Sequence, residues 1–506
     1  MTTSTSNNNY LIYLVAALIS IFLSYDGSLR GAVINPDGIC YLQSAAAMAS
    51  TDLHTAVNIC GQAKWPFYSS LIFGLVYITK ISYISSAFVV NGFFSLISVI
   101  AFIYIINLLG ATRRTLWLAV AVILLAHEFN SVREYVIRDH GFWAFYLLSI
   151  AYMLRFLSST KVAYALMWSA TIILATLFRI EGGIFLLLIP FVVWFQVDLT
   201  LTQRIKAFLK LYALPILLSI GWFIWTKLSI QDTAPHLSRV AEIQFHLFHG
   251  VDHLIASYQS SAAALGAHVL SVFAAHDAKY VLFLLLVIWY FALVMTNLTI
   301  IYGVLVFYAW VKKIPKLSRA STSVLLGYVF VNVLITALFL VENMFLSKRY
   351  LIALSLVLML WVPFALDYLI QHFKQRKWLL PLVVFLIFIS SLGGFFNFGY
   401  SKAYIRQSGE WLAEHANRNA RIYSNDPQIM YYSHHFGNDI FIQARSFSDT
   451  SVLEQGKWKK YDFIALHLNS KDIEKNARIT KEIALSPVHV FANKRGDQVI
   501  IYQVEH

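Results

Sequence analysis

Apolar residues in this chain gather in long blocks and do not alternate with polar ones. Eleven blocks, at 10–25, 83–109, 115–126, 141–157, 162–178, 183–197, 207–226, 280–310, 323–341, 350–370 and 379–396, predict helices that cross a bilayer. The block at 280–310 is long enough to cross with tilt or to project beyond the lipid. The apolar stretch 66–79, about 14 residues, is too short for a full crossing and predicts an interfacial or re-entrant segment. Two long polar stretches remain: a loop at 227–279 and the tail 397–506. In the tail, helical polarity at 409–417, a strand at 420–424, and a helix at 427–434 opening on Pro427 come first. A buried strand at 460–467 and a helix at 471–485 follow. A hairpin of 488–492 and 498–504 turns across Lys494-Arg495-Gly496-Asp497. These predict a small α/β domain, with no phosphate-binding glycine loop and no nucleophile elbow in it.

Composition agrees with the blocks. Of 506 residues, 58% are hydrophobic and 13% charged, and the mean hydropathy is +0.64. That excludes a soluble domain and predicts a polytopic α-helical membrane protein of about eleven transmembrane helices. The net charge of +13 suggests nucleic acid at first sight. The basic residues, however, lie in short clusters between apolar blocks, as in cytoplasmic loops, and nucleic acid is rejected as a partner. Met1 to Asn9 is polar and uncharged, and 10–25 lacks a basic leader and a small-residue cleavage site, so it reads as a retained first helix.

Charge then orients the chain. If 66–79 does not cross, alternate loops fall on opposite sides. One set holds Arg113-Arg114, Arg155, Lys161, Arg204, Lys206, Lys210, Lys312-Lys313, Lys316, Arg319, Lys374, Arg376-Lys377, Asp198 and Asp367: 14 basic residues against 2 acidic. The other set, up to residue 396, has 11 basic and 12 acidic. The positive-inside rule places the first set and the N-terminus in the cytoplasm, and the C-terminal domain outside. Nearly all carboxylates of the first 396 residues then face the extracytoplasmic side, which a bland membrane protein does not require.

The candidate chemistry lies on that side. Asp37, in Val33-Ile34-Asn35-Pro36-Asp37-Gly38, stands in the first external loop, 26–66, ahead of a weakly amphipathic run; an ordinary Pro-Gly turn is the alternative. Cys40 and Cys60 share that loop and predict a disulfide, with two free buried thiols as the alternative. The second external loop, 128–140, carries Glu128, Arg133, Glu134, Arg138, Asp139 and His140, either a boundary charge cluster or a salt-bridged helix start. Arg179-Ile180-Glu181-Gly182 follows the fifth helix, and Ser347-Lys348-Arg349-Tyr350-Leu351 opens the tenth. In 227–279, His246, His249 and His253 have metal-like helical spacing beside Asp252, against an interfacial amphipathic helix with histidines on its wet face.

Taken in order, several of these features resemble the polyprenyl-phosphate-dependent glycosyltransferases of the GT-C fold. They are Asp37 in the first external loop, the Lys64-Trp65-Pro66 segment, Arg138-Asp139-His140 before the fourth helix, and Arg-x-Glu-Gly after the fifth. Arg349-Tyr350-Leu351 and an external domain with Glu410-Trp411-Leu412 and Ser424-Asn425-Asp426 complete the set. That family includes protein O-mannosyltransferases, the lipid A aminoarabinose transferase and lipopolysaccharide galacturonosyltransferases. The resemblance covers nearly the whole chain and rests on order and spacing. It departs at Gly38, where the family often has Asp-Glu, and at Phe67, where it has a second proline.

The resemblance implies a transmembrane glycosyltransferase domain, 1–396, and an extracytoplasmic α/β domain, 397–506, that covers the site or helps bind the acceptor. It implies localisation in the cell inner (plasma) membrane. The implied reaction moves a sugar from a polyprenyl-phosphate donor to a hydroxyl of a glycan, glycolipid or protein, by single displacement with inversion. A carboxylate can take the acceptor's proton, and cations can meet the charge that develops on the leaving phosphate. Asp37 is expected as the base and Asp139 as a second carboxylate. Lys64, Arg138 and Arg349 are expected on the phosphate, with His140, Arg179, Glu181 and Tyr350 in substrate binding. Some members of the family hold a divalent metal, Mg or Mn, on such carboxylates; others do not. The competing classes are a flippase or transporter of an anionic or polyisoprenoid lipid and a non-catalytic receptor. The first would show inverted repeats or interrupted helices, and neither is visible in the sequence.

Overall fold

A computed structural model describes residues 9–51, 53–228, 238–372, 378–434, 454–483 and 485–505. The chain forms two compact units. One comprises Met1–Gly27, Val89–Arg133 and Arg138–Phe396; the other comprises Ser28–Phe88, Glu134–Ile137 and Asn397–His506.

The first unit is helical, and the apolar blocks dictate it. Among the described residues of the whole chain, six helices are long and apolar enough to cross a membrane: Tyr10–Arg30, Tyr83–Leu108, Asp139–Ser159, Ala275–Leu298, Arg319–Asn343 and Lys348–His372. Arg113–Leu124 and His127–Glu134, bent by 53°, make a seventh if they form one span. Shorter apolar helices are Phe67–Thr79, Val162–Phe178, Gly182–Phe195, Ile300–Lys312 and Leu379–Phe395. With no water in hydrocarbon to serve backbone groups, such helices are the stable way to span, and the chain is a multi-pass membrane protein. Of the eleven crossings expected, six or seven qualify by length and composition among the described residues.

Local signals set the ends. Thr112 and Ser318 cap the helices that follow them, accepting hydrogen bonds from the amides of Thr115 (3.2 Å) and Ser321 (3.1 Å). Lys348–His372 is the centre of this unit: every residue from Leu351 to Asp367 is buried. Asp139–Ser159 packs against Val162–Phe178, and a polar seam ties them to Arg319–Asn343. The Tyr328 hydroxyl accepts from Trp168 Nε1 (3.0 Å) and pairs with Ser149 Oγ (2.7 Å), while Asn332 Nδ2 donates to the Tyr146 hydroxyl (2.7 Å). Interhelical hydrogen bonds of this kind substitute for the hydrophobic drive that lipid removes.

Two sequence expectations change, and the helix weighed within 227–279 is present. The block 280–310 is two helices, Ala278–Leu298 and Ile300–Lys312, broken at Thr299 with φ of 69°. The block 183–197 is α-helical only to Leu188 and continues as a 3-10 helix, Ile189–Phe195, because Pro190 has no amide to donate. The polar stretch 227–279 contains a helix, Ser238–His268. The side chains of His246 and His249 lie outside the described residues, and His253 pairs with Glu342 (3.2 Å).

The second unit holds a four-stranded sheet in the order β1-β2-β4-β3, with β1 Ile422–Ser424, β2 Phe463–Leu468, β3 His489–Ala492 and β4 Gln498–Gln503. β1 runs parallel to β2; β2–β4 and β4–β3 are antiparallel. Alternation along β2 and β4 builds two apolar layers. Phe463, Ala465, Val499 and Ile501 face Tyr404, Ile405 and Leu412 of the helix Ala403–His415. Ile464, Leu466, Ile500 and Tyr502 face Ile479 and Ile483 of the helix Ile473–Ile483. The first external loop belongs to this unit and is itself helical, at Pro36–Ser50 and Leu53–Asn58. Its Val33 packs on the Tyr404 layer.

Candidate functional site

In the first unit the charged residues converge on Arg179. The helix Val162–Phe178 ends there, and the next begins after Glu181, so the Arg-x-Glu spacing wraps one guanidinium around its own neighbour. Arg179 donates to Asp139 through one nitrogen and to Glu181 through another. Its guanidinium also lies 4.6 Å from the centre of the Tyr350 ring, a cation–π contact. Arg349 covers the same ring at 5.2 Å. The charges of Arg179, Arg349 and Arg138 all act on the Asp139 carboxylate. Asp139 opens the helix Asp139–Ser159, where the helix dipole also favours an anion.

Arg138 differs from its neighbours. The residue is buried, and its Nη1 atom has no hydrogen-bond partner among the described residues. An unsatisfied buried donor costs about 1–3 kcal/mol, more when charged. It is thus a group with capacity left for an anionic ligand. A second ion pair, Lys348 Nζ to Glu128 Oε1 at 2.8 Å, lies in the same unit, and the Lys348 carbonyl accepts from Asn297 Nδ2 (2.6 Å). His140 is used inward: its ring nitrogens lie 3.0 Å from Ser95 Oγ and 3.3 Å from the Val132 carbonyl, and the ring packs on Trp143. Its geometry is that of a packing residue.

Electrostatics follow from this wiring. Burial pushes the Glu181 carboxyl upward, but the Arg179 guanidinium outweighs it and holds the group at about 2. Burial alone would lower Arg179, yet Asp139 and Glu181 keep it well above its ordinary value.

In the second unit Asp37 is the second residue of the helix Pro36–Ser50. Gln62 donates to its Oδ1 at 2.9 Å. Cys40 and Cys60 are disulfide-bonded, with Cα atoms 6.0 Å apart. The bridge returns the 3-10 turn Gly61–Lys64, with Gln62 and Lys64, to the Asp37 helix. Just before Asp37, the Asn35 side chain bonds both the amide (2.9 Å) and the carbonyl (3.2 Å) of Val136. Gly38 has no room for a side chain: a Cβ would stand 2.8 Å from Asn35 Oδ1 and 2.9 Å from Val136 Cβ. This close approach explains why glycine follows Asp37 here.

Of the expected site residues, Arg138, Asp139, Arg179, Glu181, Arg349 and Tyr350 therefore form one interacting cluster in the first unit, while Asp37 and Lys64 belong to the second. The pairing of Glu128 with Lys348 and the bond from Gln62 to Asp37 are contacts that the sequence pattern did not show. The residues do not fit a metal: among the described residues no three His, Cys, Asp or Glu side chains converge, and Arg179 occupies both Asp139 and Glu181.

No protein-family model matches the sequence, and no curated protein matches it. Solved structures do. ArnT from Cupriavidus metallidurans bound to undecaprenyl phosphate matches with a TM-score of 0.57 at 14% identity, over 98% of this chain and 98% of that one. The archaeal oligosaccharyltransferase AglB from Archaeoglobus fulgidus, in complex with an inhibitory peptide and a dolichol-phosphate, matches with a TM-score of 0.50 at 10% identity, over 97% of this chain and 74% of that one. Arabinofuranosyltransferase AftD from Mycobacteria matches with a TM-score of 0.50 at 12% identity; this chain spans 40% of it. The fold is the GT-C fold.

Proposed function

We propose that this protein is a membrane glycosyltransferase that moves a sugar from a polyprenyl-phosphate donor to a hydroxyl of an extracytoplasmic glycan, glycolipid or protein. The observation that carries the reading is the buried Arg138, with a donor atom to spare, beside Asp139, Arg179, Glu181 and Arg349 on a GT-C fold. The neighbours' bound undecaprenyl phosphate and dolichol-phosphate name the ligand class such a group suits.

In this reading the acceptor oxygen attacks the anomeric carbon, its proton passes to Asp37, and the carbon–oxygen bond to the phosphate breaks with inversion. Polyprenyl phosphate leaves as the anion. Arg138 and Arg349 receive that charge, as a fork and a stacked cation, and Lys64 does so as a point charge. Asp139 and Glu181 hold Arg179 in place under Tyr350. Membrane lipids supply the solvent, and the site and the C-terminal domain face the outside of the inner membrane.

One observation favours a second reading: the helix break at Thr299 is the kind of interruption that lipid transporters use. The two part in one experiment. Purified protein is given polyprenyl-phosphate sugars and candidate acceptors, and both the glycosylated product and free polyprenyl phosphate are measured. Stoichiometric appearance of both supports transfer. Movement of labelled donor across a proteoliposome bilayer, with neither product, supports the transporter.

A further inference from the structure

We infer that Gln428 and Tyr432 are positioning residues for Asp37, gripping the peptide chain three residues ahead of it. The inference rests on Asp37 being the base of the proposed transfer.

The grip is a two-sided hold on one residue. The Ile34 amide donates to the Tyr432 hydroxyl at 3.0 Å, and Gln428 Nε2 donates to the Ile34 carbonyl at 2.6 Å. One bond would let the chain swivel about it; a donor and an acceptor used together fix its direction. Gln428 and Tyr432 stand four residues apart on the helix Pro427–Tyr432, hence on one face of it. Asn35 then adds its double bond to Val136, and Val33 packs on the Tyr404 layer. Pro36 starts the Asp37 helix directly after this clamped segment, so the clamp sets where that helix begins and which way its second residue points.

The arm that grips is itself braced. Asp426, wholly buried, caps the short helix through the Gln428 amide (2.8 Å). Its other oxygen lies 2.9 Å from His467 Nδ1 on β2, and His467 Nε2 lies 2.7 Å from the Tyr404 hydroxyl. This Asp–His–Tyr chain ties the short helix to β2 and to the helix Ala403–His415. Gly409 completes the brace, since a Cβ there would stand 2.5 Å from Tyr432 Cβ and 2.7 Å from the Ile429 carbonyl. Sheet, cap and short helix thus form one stiff path ending on Ile34. The C-terminal sheet domain becomes part of the machinery that aims the base, beyond covering a site.

The test uses full-length protein in detergent, as wild type, Tyr432→Phe, Gln428→Leu, Asp37→Asn, and each clamp variant combined with Asp37→Asn. Hydrogen exchange is followed in a peptide spanning 31–37, alongside kcat and KM for the polyprenyl-phosphate sugar. Exchange in that peptide should quicken in both clamp variants. Misplacing a catalytic group by about 1 Å costs on the order of 10²-fold, so kcat should fall roughly ten- to hundredfold while the donor KM holds. Each combined variant should be no slower than Asp37→Asn alone, because the clamp acts through Asp37. Unchanged exchange would overturn the grip. Unchanged kcat beside an inactive Asp37→Asn, or a further loss on top of Asp37→Asn, would overturn positioning in favour of a merely structural tie. A wild type that transfers no sugar defeats the activity reading instead, and the exchange result still decides whether Gln428 and Tyr432 hold Ile34.

Discussion

Arg179 and Arg138 carry the same charge and are put to different uses. Arg179 is saturated by Asp139, Glu181 and the Tyr350 ring, so it organises the cluster. Arg138 keeps an unbonded nitrogen, and Arg349 stacks on Tyr350 beside it. Charge-assisted hydrogen bonds contribute about 1.5–3 kcal/mol each. Arg138→Ala and Arg349→Ala should each weaken donor binding roughly ten- to hundredfold; titration of purified variants with polyprenyl phosphate measures it, and wild-type affinity would remove the residue from the site. The Arg179 guanidinium holds the Glu181 carboxyl at about 2 in the folded protein, below its ordinary 4.5. A depressed carboxylate stabilises the fold fully above 4.5, and that contribution is lost as pH falls towards 2. Glu181→Gln should therefore lower Tm at pH 7, and the gap from wild type should narrow as pH drops from 5 towards 2. A gap independent of pH would mean that the ion pair contributes nothing. At this scale the sequence exposed Arg138-Asp139 and Arg-x-Glu, because charges beside apolar blocks stand out. It did not expose Gln62 or Tyr432, whose amide and phenol look like any others until the chain folds. Nor did it pair Glu128 with Lys348, 220 residues apart.

Elements were legible where apolar length alone decides them. The blocks 83–109, 162–178 and 379–396 differ from the helices Tyr83–Leu108, Val162–Phe178 and Leu379–Phe395 by a residue at most. Hydropathy does not report breaks inside a block. Thr299 interrupts one with no glycine or proline to announce it, while Asn297 turns aside to bond the Lys348 carbonyl and accept from Ser355. The first loop was legible as polar but not as two helices, because Pro36–Ser50 is packed by the disulfide and by Tyr41 against Tyr68 and lacks a strong amphipathic stripe. Closing that loop of about 20 residues stabilises by about 3 kcal/mol in the chain-entropy estimate. Peptide mapping without reductant should find Cys40 joined to Cys60, and Cys60→Ser should lower Tm; two free thiols in the native protein would refute the bridge.

For the whole molecule, a many-helix membrane part with a small sheet domain was in reach of the sequence, since the count of apolar blocks is a global property, and the GT-C likeness was in reach through the order of its motifs. The grouping of 28–88 and 134–137 with 397–506 was not, because it depends on contacts such as Ile34 with Tyr432 and Asn35 with Val136. The 14 to 2 charge imbalance is the ground for expecting the C-terminal domain outside the cytoplasm. A reporter active only outside the cytoplasm, fused after His506, should be active; silence there, with activity of a cytoplasmic reporter, would invert the assignment and move Asp37 to the wrong side. In the proposed reaction a carboxylate at Asp37 takes a proton during sugar transfer. Turnover of a polyprenyl-phosphate sugar by wild type and by Asp37→Asn, with matched elution profiles and Tm, tests it most directly. Asparagine preserves shape and turn preference but cannot accept the proton, so turnover should fall by about 10²–10⁴-fold. Near-wild-type turnover by Asp37→Asn would contradict it.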